Sequence, residues 1–288
     1  MIDETGQPTR RGRADLHIHT VASDGTATVE AILDHVEHHT DLDVIAIADH
    51  ERIDAALAAR AMAADRGLRA DVIVGEEVTT LGGHLLALYV DRPIRPFRSL
   101  RATIAAVHEA GGLAIPAHPL VPYPLCAQGW VLRRLLDDPD PAVRPDAIET
   151  FNPTALGKPW HARVSVFADQ NGLAHIGNSD AHALAAIASG WTTFPGRDAA
   201  DLRRAIEART TEHGGTFHPT VGQLGTFGQQ LRKRGRDARD EIRGRLLRDG
   251  TGRDHGYPGG RQRPPRFEPA AARAPGTVGA DPDEAGRP

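Results

Sequence analysis

Ala14-Asp15-Leu16-His17-Ile18-His19-Thr20, followed by Ser23-Asp24-Gly25, is the stretch around which this sequence organises itself. Residues two apart on a strand project to one face. His17 and His19 therefore present two imidazoles to one point while Ile18 packs the other way, and Asp24 follows in a turn. The same design recurs downstream, where short apolar runs end in residues of metal-ligand type. Ile47-Ala48 leads to Asp49-His50, Val74-Gly75 to Glu76-Glu77, Ile115-Pro116-Ala117 to His118-Pro119, and Gly177-Asn178-Ser179 to Asp180-Ala181-His182. Gly82-Gly83-His84 opens a further strand.

Strands are expected at 14–19, 43–48, 71–75, 84–90, 113–117, 146–150 and 174–177. Amphipathic helices are expected at 29–39, 52–67, 100–111, 130–137, 161–172 and 198–208, several of them ending at Gly. Such alternation argues for βα units and a mostly parallel sheet, either closed into a barrel or open and doubly wound. A doubly wound sheet gathers its chemistry at a Gly-rich phosphate loop, and the sequence has neither G-x-G-x-x-G nor a Walker motif. Polar residues at nearly every strand end are instead what a barrel rim requires.

Six of the fifteen histidines and three carboxylates lie at these strand boundaries, flanked by small residues. Cys126 is the sole cysteine, so no disulfide framework or thiolate zinc knuckle is available, and Cys126 reads as an inert packing residue. Imidazole and carboxylate ligands suit Zn, Mn or Fe. Nine side chains exceed what one ion can hold, which points to two or three divalent metal ions.

In this order, Asp-Leu-His-Ile-His-Thr with Ser-Asp-Gly, Ala-Asp-His, Gly-Glu-Glu-Val-Thr with Gly-Gly-His, Ala-His-Pro and Ser-Asp-Ala-His resemble the PHP (polymerase and histidinol phosphatase) domain over about residues 14–210. The resemblance implies an α/β fold, a distorted TIM-like (β/α)7 barrel, with a trinuclear metal site that hydrolyses phosphoesters. It places one ion on His17, His19, Glu77 and Asp180. A second falls on Glu77, His84 and His118, and a third on Asp24, His50 and His182. Adjacent strand residues face opposite ways, so only one of Glu76 and Glu77 serves, and the family's Gly-x-Glu spacing favours Glu77. His84 begins its strand and must reach the rim from a return connection.

The expected activity is hydrolysis of a phosphomonoester or phosphodiester by metal-activated hydroxide attacking phosphorus in line. Glu77, Asp180 and His182 are the expected catalytic residues, with His182 a candidate proton donor to the leaving group. Asn152, Arg52 and Arg163 are the candidate substrate contacts, with Lys158 nearby in sequence. The family often has Asp after the second-strand Asp-His, whereas Glu51-Arg52 follows here, a departure that bears on substrate contacts. Asp15 and Asp49 precede ligand histidines and are expected to orient imidazoles. His35, His38, His39, His108, His161, His175, His213, His218 and His255 lack ligand partners in sequence.

The first 230 residues hold 20 Lys and Arg against 29 Asp and Glu, whereas residues 231–288 hold 14 against 9. With 5% aromatic residues and an acidic balance, the folded part is poorly suited to sequence-independent nucleic-acid binding. The expected organisation is a metal-dependent hydrolase domain at 13–215, a C-terminal helix within 216–249 and a disordered basic Gly/Pro/Arg-rich tail at 250–288. No secretory signal or membrane span is read from the sequence, and a cytoplasmic setting is expected. The expected substrate is a small phosphorylated metabolite, nucleotide or short oligonucleotide, and no protein partner is indicated. Histidinol-phosphate hydrolysis, amide or carbamate hydrolysis on the same cluster, and a non-catalytic binding module acting through the tail are the alternatives.

Overall fold

The computed structural model describes residues 11–154 and 157–217. Their strands are β1 (Arg11–Ile18), β2 (Val44–Ile47), β3 (Asp71–Thr80), β4 (Gly83–Leu88), β5 (Leu113–Pro116), β6 (Ala147–Phe151), β7 (Ala174–Gly177), β8 (Gly190–Pro195) and β9 (Glu212–Gly215). The helices are α1 (Val29–His39), α2 (Asp54–Arg66), α3 (Leu100–Glu109), α4 (Gly129–Leu136), α5 (His161–Asn171) and α6 (Ala199–Glu207). The seven expected strands and six expected helices are all present, with ends shifted by a few residues. Strands β8 and β9 are additions to the sequence reading. The helix expected within 216–249 and the tail at 250–288 fall outside the described residues, apart from 216 and 217.

Strand order is β5-β4-β3-β2-β1-β8-β9 in a curled mixed sheet, with β6-β7 forming a separate parallel pair. The expectation of a mostly parallel sheet is corrected here. Only β1-β2, β2-β3 and β6-β7 pair parallel, and β3-β4, β4-β5, β1-β8 and β8-β9 pair antiparallel. Chain length explains the first reversal. Leu81 and Gly82 alone separate β3 from β4, too short for a crossover, so the chain returns as a hairpin. Gly83 takes φ 122°, and a Cβ there would lie 2.4 Å from the Ala127 nitrogen.

Alternate strand residues supply two apolar layers. Ile45, Ile47, Val72, Val74, Leu85 and Ala87 pack under Ile32, Val36, Ala59, Ile104 and Val107 of the helices. Val44, Ala46, Ile73, Leu86, Leu88 and Ile115 face the other way, joined by Leu202 and Ile206 of α6. Helix α6 sits at the amino ends of β2 and β3, where Arg197 reaches Asp43 and the Ala199 N–H donates to Asp71. This leaves the carboxyl ends of the strands for chemistry.

The β6-β7 pair is tied to both sides of the large sheet. The Asp146 N–H donates to the Ala114 carbonyl, and the Asp146 carboxylate accepts from the Ala114 N–H. After β7, the Asn178 side chain accepts from the Leu16 N–H, and the Ala181 backbone bonds His17 and His19. Among the described residues, no helix is long and apolar enough to cross a membrane.

Candidate metal centre

A register irregularity lies between Asp15 and Ile18 of β1. Leu16 packs in the layer that contains α6, whereas Ile18 packs in the helix-covered layer. An extra residue of this kind bends a strand and re-aims its side chains, and His17 and His19 come together with ring centroids 5.0 Å apart. Strand β6 has a similar irregularity between Glu149 and Phe151. The backbone also takes uncommon conformations at the rim, with φ 51° at Asp180 and 31° at His118.

All nine expected ligand side chains meet at this rim. His19, Asp24, His50 and His182 form one group in which a donor atom from each lies within 4.8 Å of the others. His17, His19 and Glu77 form a second group, and His50, Glu77 and His84 a third. Asp180 joins through Oδ1, 3.5 Å from His17 Nε2 and 3.4 Å from His19 Nε2. His118 joins through Nε2, 3.1 Å from Glu77 Oε1. The grouping is more shared than the resemblance implies, since His19 also stands in the Asp24 group and His50 beside Glu77.

Glu77 is the centre of the arrangement. Its Oε2 lies 3.3 Å from His17 Nε2, 3.4 Å from His19 Nε2 and 3.3 Å from His50 Nδ1. Its Oε1 lies 2.7 Å from His84 Nδ1 and 3.1 Å from His118 Nε2. His84 does reach the rim from the return strand, paired in register with Thr79. Glu76 points elsewhere, with Oε2 accepting from the Ile94 N–H, and burial raises its pKa to about 7.

Electrostatics follow from packing these groups together. Burial opposes ionisation of Glu77, but His84, His50 and His17 outweigh it and hold the carboxyl well below its ordinary value. Asp180 is likewise held low against burial, by His17 and His19. Burial disfavours charge on His17, yet Asp180, Glu77 and Glu149 raise its pKa well above the usual imidazole range. His19 is pushed down to about 4 by burial and by the neighbouring His182 and His50.

These groups fit divalent ions. His17 Nε2 and both ring nitrogens of His19 are buried without a hydrogen bond. Leaving a buried polar atom unpaired costs about 1–3 kcal/mol, a cost that coordination would remove. The outward nitrogens are held as metal-binding imidazoles require. His17 Nδ1 bonds Glu149 Oε1 at 3.1 Å, His118 Nδ1 lies 3.3 Å from Cys126 Sγ, and His182 Nδ1 lies 2.9 Å from the Asp180 carbonyl.

Other expected residues take different places. Asp15 and Asp49 do not hydrogen-bond imidazoles. Asp15 accepts from the Ser179 and Ala188 N–H groups, and Asp49 from Thr20 and Ser23, so each anchors a loop that carries expected ligands. Cys126 is buried, with Sγ 3.3 Å from His118 Nδ1. Arg52 pairs with Asp54 and donates to the Ala22 carbonyl at 2.8 Å, and Arg163 stacks on Trp160. Asn152 lies between Glu149 and Asp180. Glu149 was not singled out from sequence, and its signal was a lone carboxylate at the end of the sixth expected strand.

A family model described as PHP-associated matches residues 158–211. An uncharacterized protein of Methanocaldococcus jannaschii is 31% identical over 121 residues, spanning 38% of this chain and 69% of that protein. With the ordered motifs and the rim they build, these matches place the chain in the PHP domain family. A two-domain protein from Bacteroides vulgatus, containing a predicted PHP-like metal-dependent phosphoesterase, superposes with TM-score 0.58 at 17% identity. The match covers 72% of this chain and 65% of that one, so this chain spans less than two thirds of that protein. An amidohydrolase from Chromobacterium violaceum, solved with bound sulfate, gives TM-score 0.50 at 20% identity, covering 68% and 96% of the two chains.

Proposed function

We propose that this protein is a metal-dependent phosphoesterase acting on a small phosphorylated metabolite, nucleotide or short oligonucleotide. The observation that carries this reading is Glu77, whose two oxygens face two sets of imidazoles at once. A buried carboxylate so placed is suited to join neighbouring cations. The nine ligands would hold two or three divalent ions, Mn, Zn or Fe, and the curled sheet with its β6-β7 insert is read as a distorted (β/α)7 barrel. Bound ions would supply the positive charge that acidifies water and neutralises phosphate oxygens.

The chain's own residues would orient that chemistry. Asp180 Oδ1 approaches His17, His19 and His182, which fixes the rim between two ligand groups. His182 Nε2 lies 3.1 Å from Asp24 Oδ1 at the edge of the cluster, where it would either complete the Asp24 ligand group or, left uncoordinated, donate a proton to the leaving group. Arg52, beside the loop of Asp24, would contact a substrate phosphate by exchanging its bond to Asp54, and Arg163, on Trp160, would be a second cation for it, whereas Asn152 serves as a positioning group. A cytoplasmic setting accompanies this reading. Amide or carbamate hydrolysis is the second reading, supported by the fold shared with a protein described as an amidohydrolase.

The test is elemental analysis of the purified protein together with hydrolysis of an aryl phosphate and a phosphodiester, for wild type and Asp180→Ala. Two or three ions per chain and hydrolysis lost in the variant are expected. Metal-replete wild type inert toward both esters but active on an amide would replace the phosphoester reading by the second.

A further inference from the structure

Glu149 is 1% exposed, yet it carries a carboxylate with four donors around it. Oε1 faces His17 Nδ1 at 3.1 Å and accepts from Asn178 Nδ2 at 2.9 Å. Oε2 accepts from the His118 backbone N–H at 2.6 Å and from Asn152 Nδ2 at 3.2 Å. These partners come from β1, from the segments that follow β5 and β7, and from the end of β6. One side chain therefore joins the small sheet to both flanks of the large one, directly beneath the rim.

The pattern closes on itself. Asn152 Nδ2 also reaches Asp180 Oδ2 at 3.3 Å, and Asp180 Oδ1 lies 3.5 Å from His17 Nε2. Glu149, His17, Asp180 and Asn152 form a ring in which the first holds the outward edge of a ligand imidazole and, through an amide, a ligand carboxylate. We propose that Glu149 is the positioning residue of the metal centre: it fixes His17 so that Nε2 is the coordinating atom, and it sets His118 and Asp180 in place. This inference rests on the metal reading above.

Chemistry limits what can replace it. Each oxygen takes two donors, a load that a carboxylate carries and an amide cannot. Whichever way a Gln side chain turned, its NH2 group would face two N–H donors. Burying the charge is compensated only while all four bonds hold.

The experiment compares wild type, Glu149→Gln, Glu149→Asp and Glu149→Ala after chelation. Zn(II) or Mn(II) is titrated back, and the His17 ring protons are followed by NMR in the metal-free proteins. Loss of an outer-sphere partner typically weakens metal binding about 10- to 100-fold, and a loss of that size is expected for Glu149→Gln, with partial rescue in Glu149→Asp. The His17 Nδ1–H signal should be protected from exchange in wild type and absent in Glu149→Ala. Unchanged affinity in Glu149→Gln, or a protected Nδ1–H in Glu149→Ala, overturns the inference. Should Glu149→Gln fail to fold, Glu149→Asp decides it: weakened binding upholds the role and wild-type affinity overturns it. Wild type that takes up no ion would defeat the metal reading, and the NMR comparison alone would then decide whether Glu149 holds His17.

Discussion

At the scale of single residues, the centre depends on backbone that leaves no room for change. Gly25 follows Asp24 in the first turn, and a Cβ added there would stand 2.3 Å from the His19 carbonyl oxygen and 2.9 Å from the Thr20 nitrogen. Both are main-chain atoms, so the turn must move. Gly25→Ala is expected to lose about 1–3 kcal/mol of stability in denaturant unfolding and to weaken metal uptake in the Asp24 group, because the shift displaces Asp24. A variant with wild-type stability and metal content would show that the turn yields freely. The convergence of the nine expected ligand side chains was legible in sequence because H-x-H and its companions fall at strand ends in a set order. Glu149 was not, since a single carboxylate in Ile-Glu-Thr-Phe carries no spacing signal and its importance arises only when four segments converge on it.

At the scale of elements, the apolar runs disclosed β1 to β7, but β9 reads Glu-His-Gly-Gly and contains no apolar residue. It forms because β8 offers an edge and because His213 packs among Phe151, His161 and His175, with Nδ1 2.9 Å from Thr150 Oγ1. Burial, followed by the neighbouring His161 and His175, lowers the His213 pKa to about 4, with Asp169 opposing. Above pH 6.5 the imidazole is neutral whether the chain is folded or unfolded. Between about 6.5 and 4 the unfolded chain binds a proton that the folded chain resists, so stability falls as the pH falls. Denaturant unfolding of wild type and His213→Asn at pH 7.5 and 5 should show the wild-type advantage shrinking on acidification. The change should be on the order of 1 kcal/mol, because partial exposure screens the charge. An advantage that is constant with pH would mean that His213 titrates normally. The mixed sheet was hidden for a related reason: pairing direction is set by the two-residue β3-β4 turn and by the return of β8 along β1, neither of which hydrophobic periodicity reports.

At the scale of the whole molecule, charge is divided between an acidic part that includes all nine expected ligands and a basic stretch from 231 onward. Catalysis at the rim and binding through the basic stretch make opposite demands on the chain. The groups that meet at the rim lie between His17 and His182, and two apolar layers lie beneath them among the described residues. Ions that bind only the folded chain add stability as RT ln(1 + [L]/Kd), about 2.7 kcal/mol when the free ion is at a hundred times Kd. Chelation should therefore lower the melting temperature of the full-length protein, and of a chain ending at residue 217, by similar amounts. Hydrolysis should survive the truncation and vanish in Asp180→Ala. Truncation that abolishes activity while leaving the metal-dependent shift intact would move function to the basic stretch and make the centre a structural one.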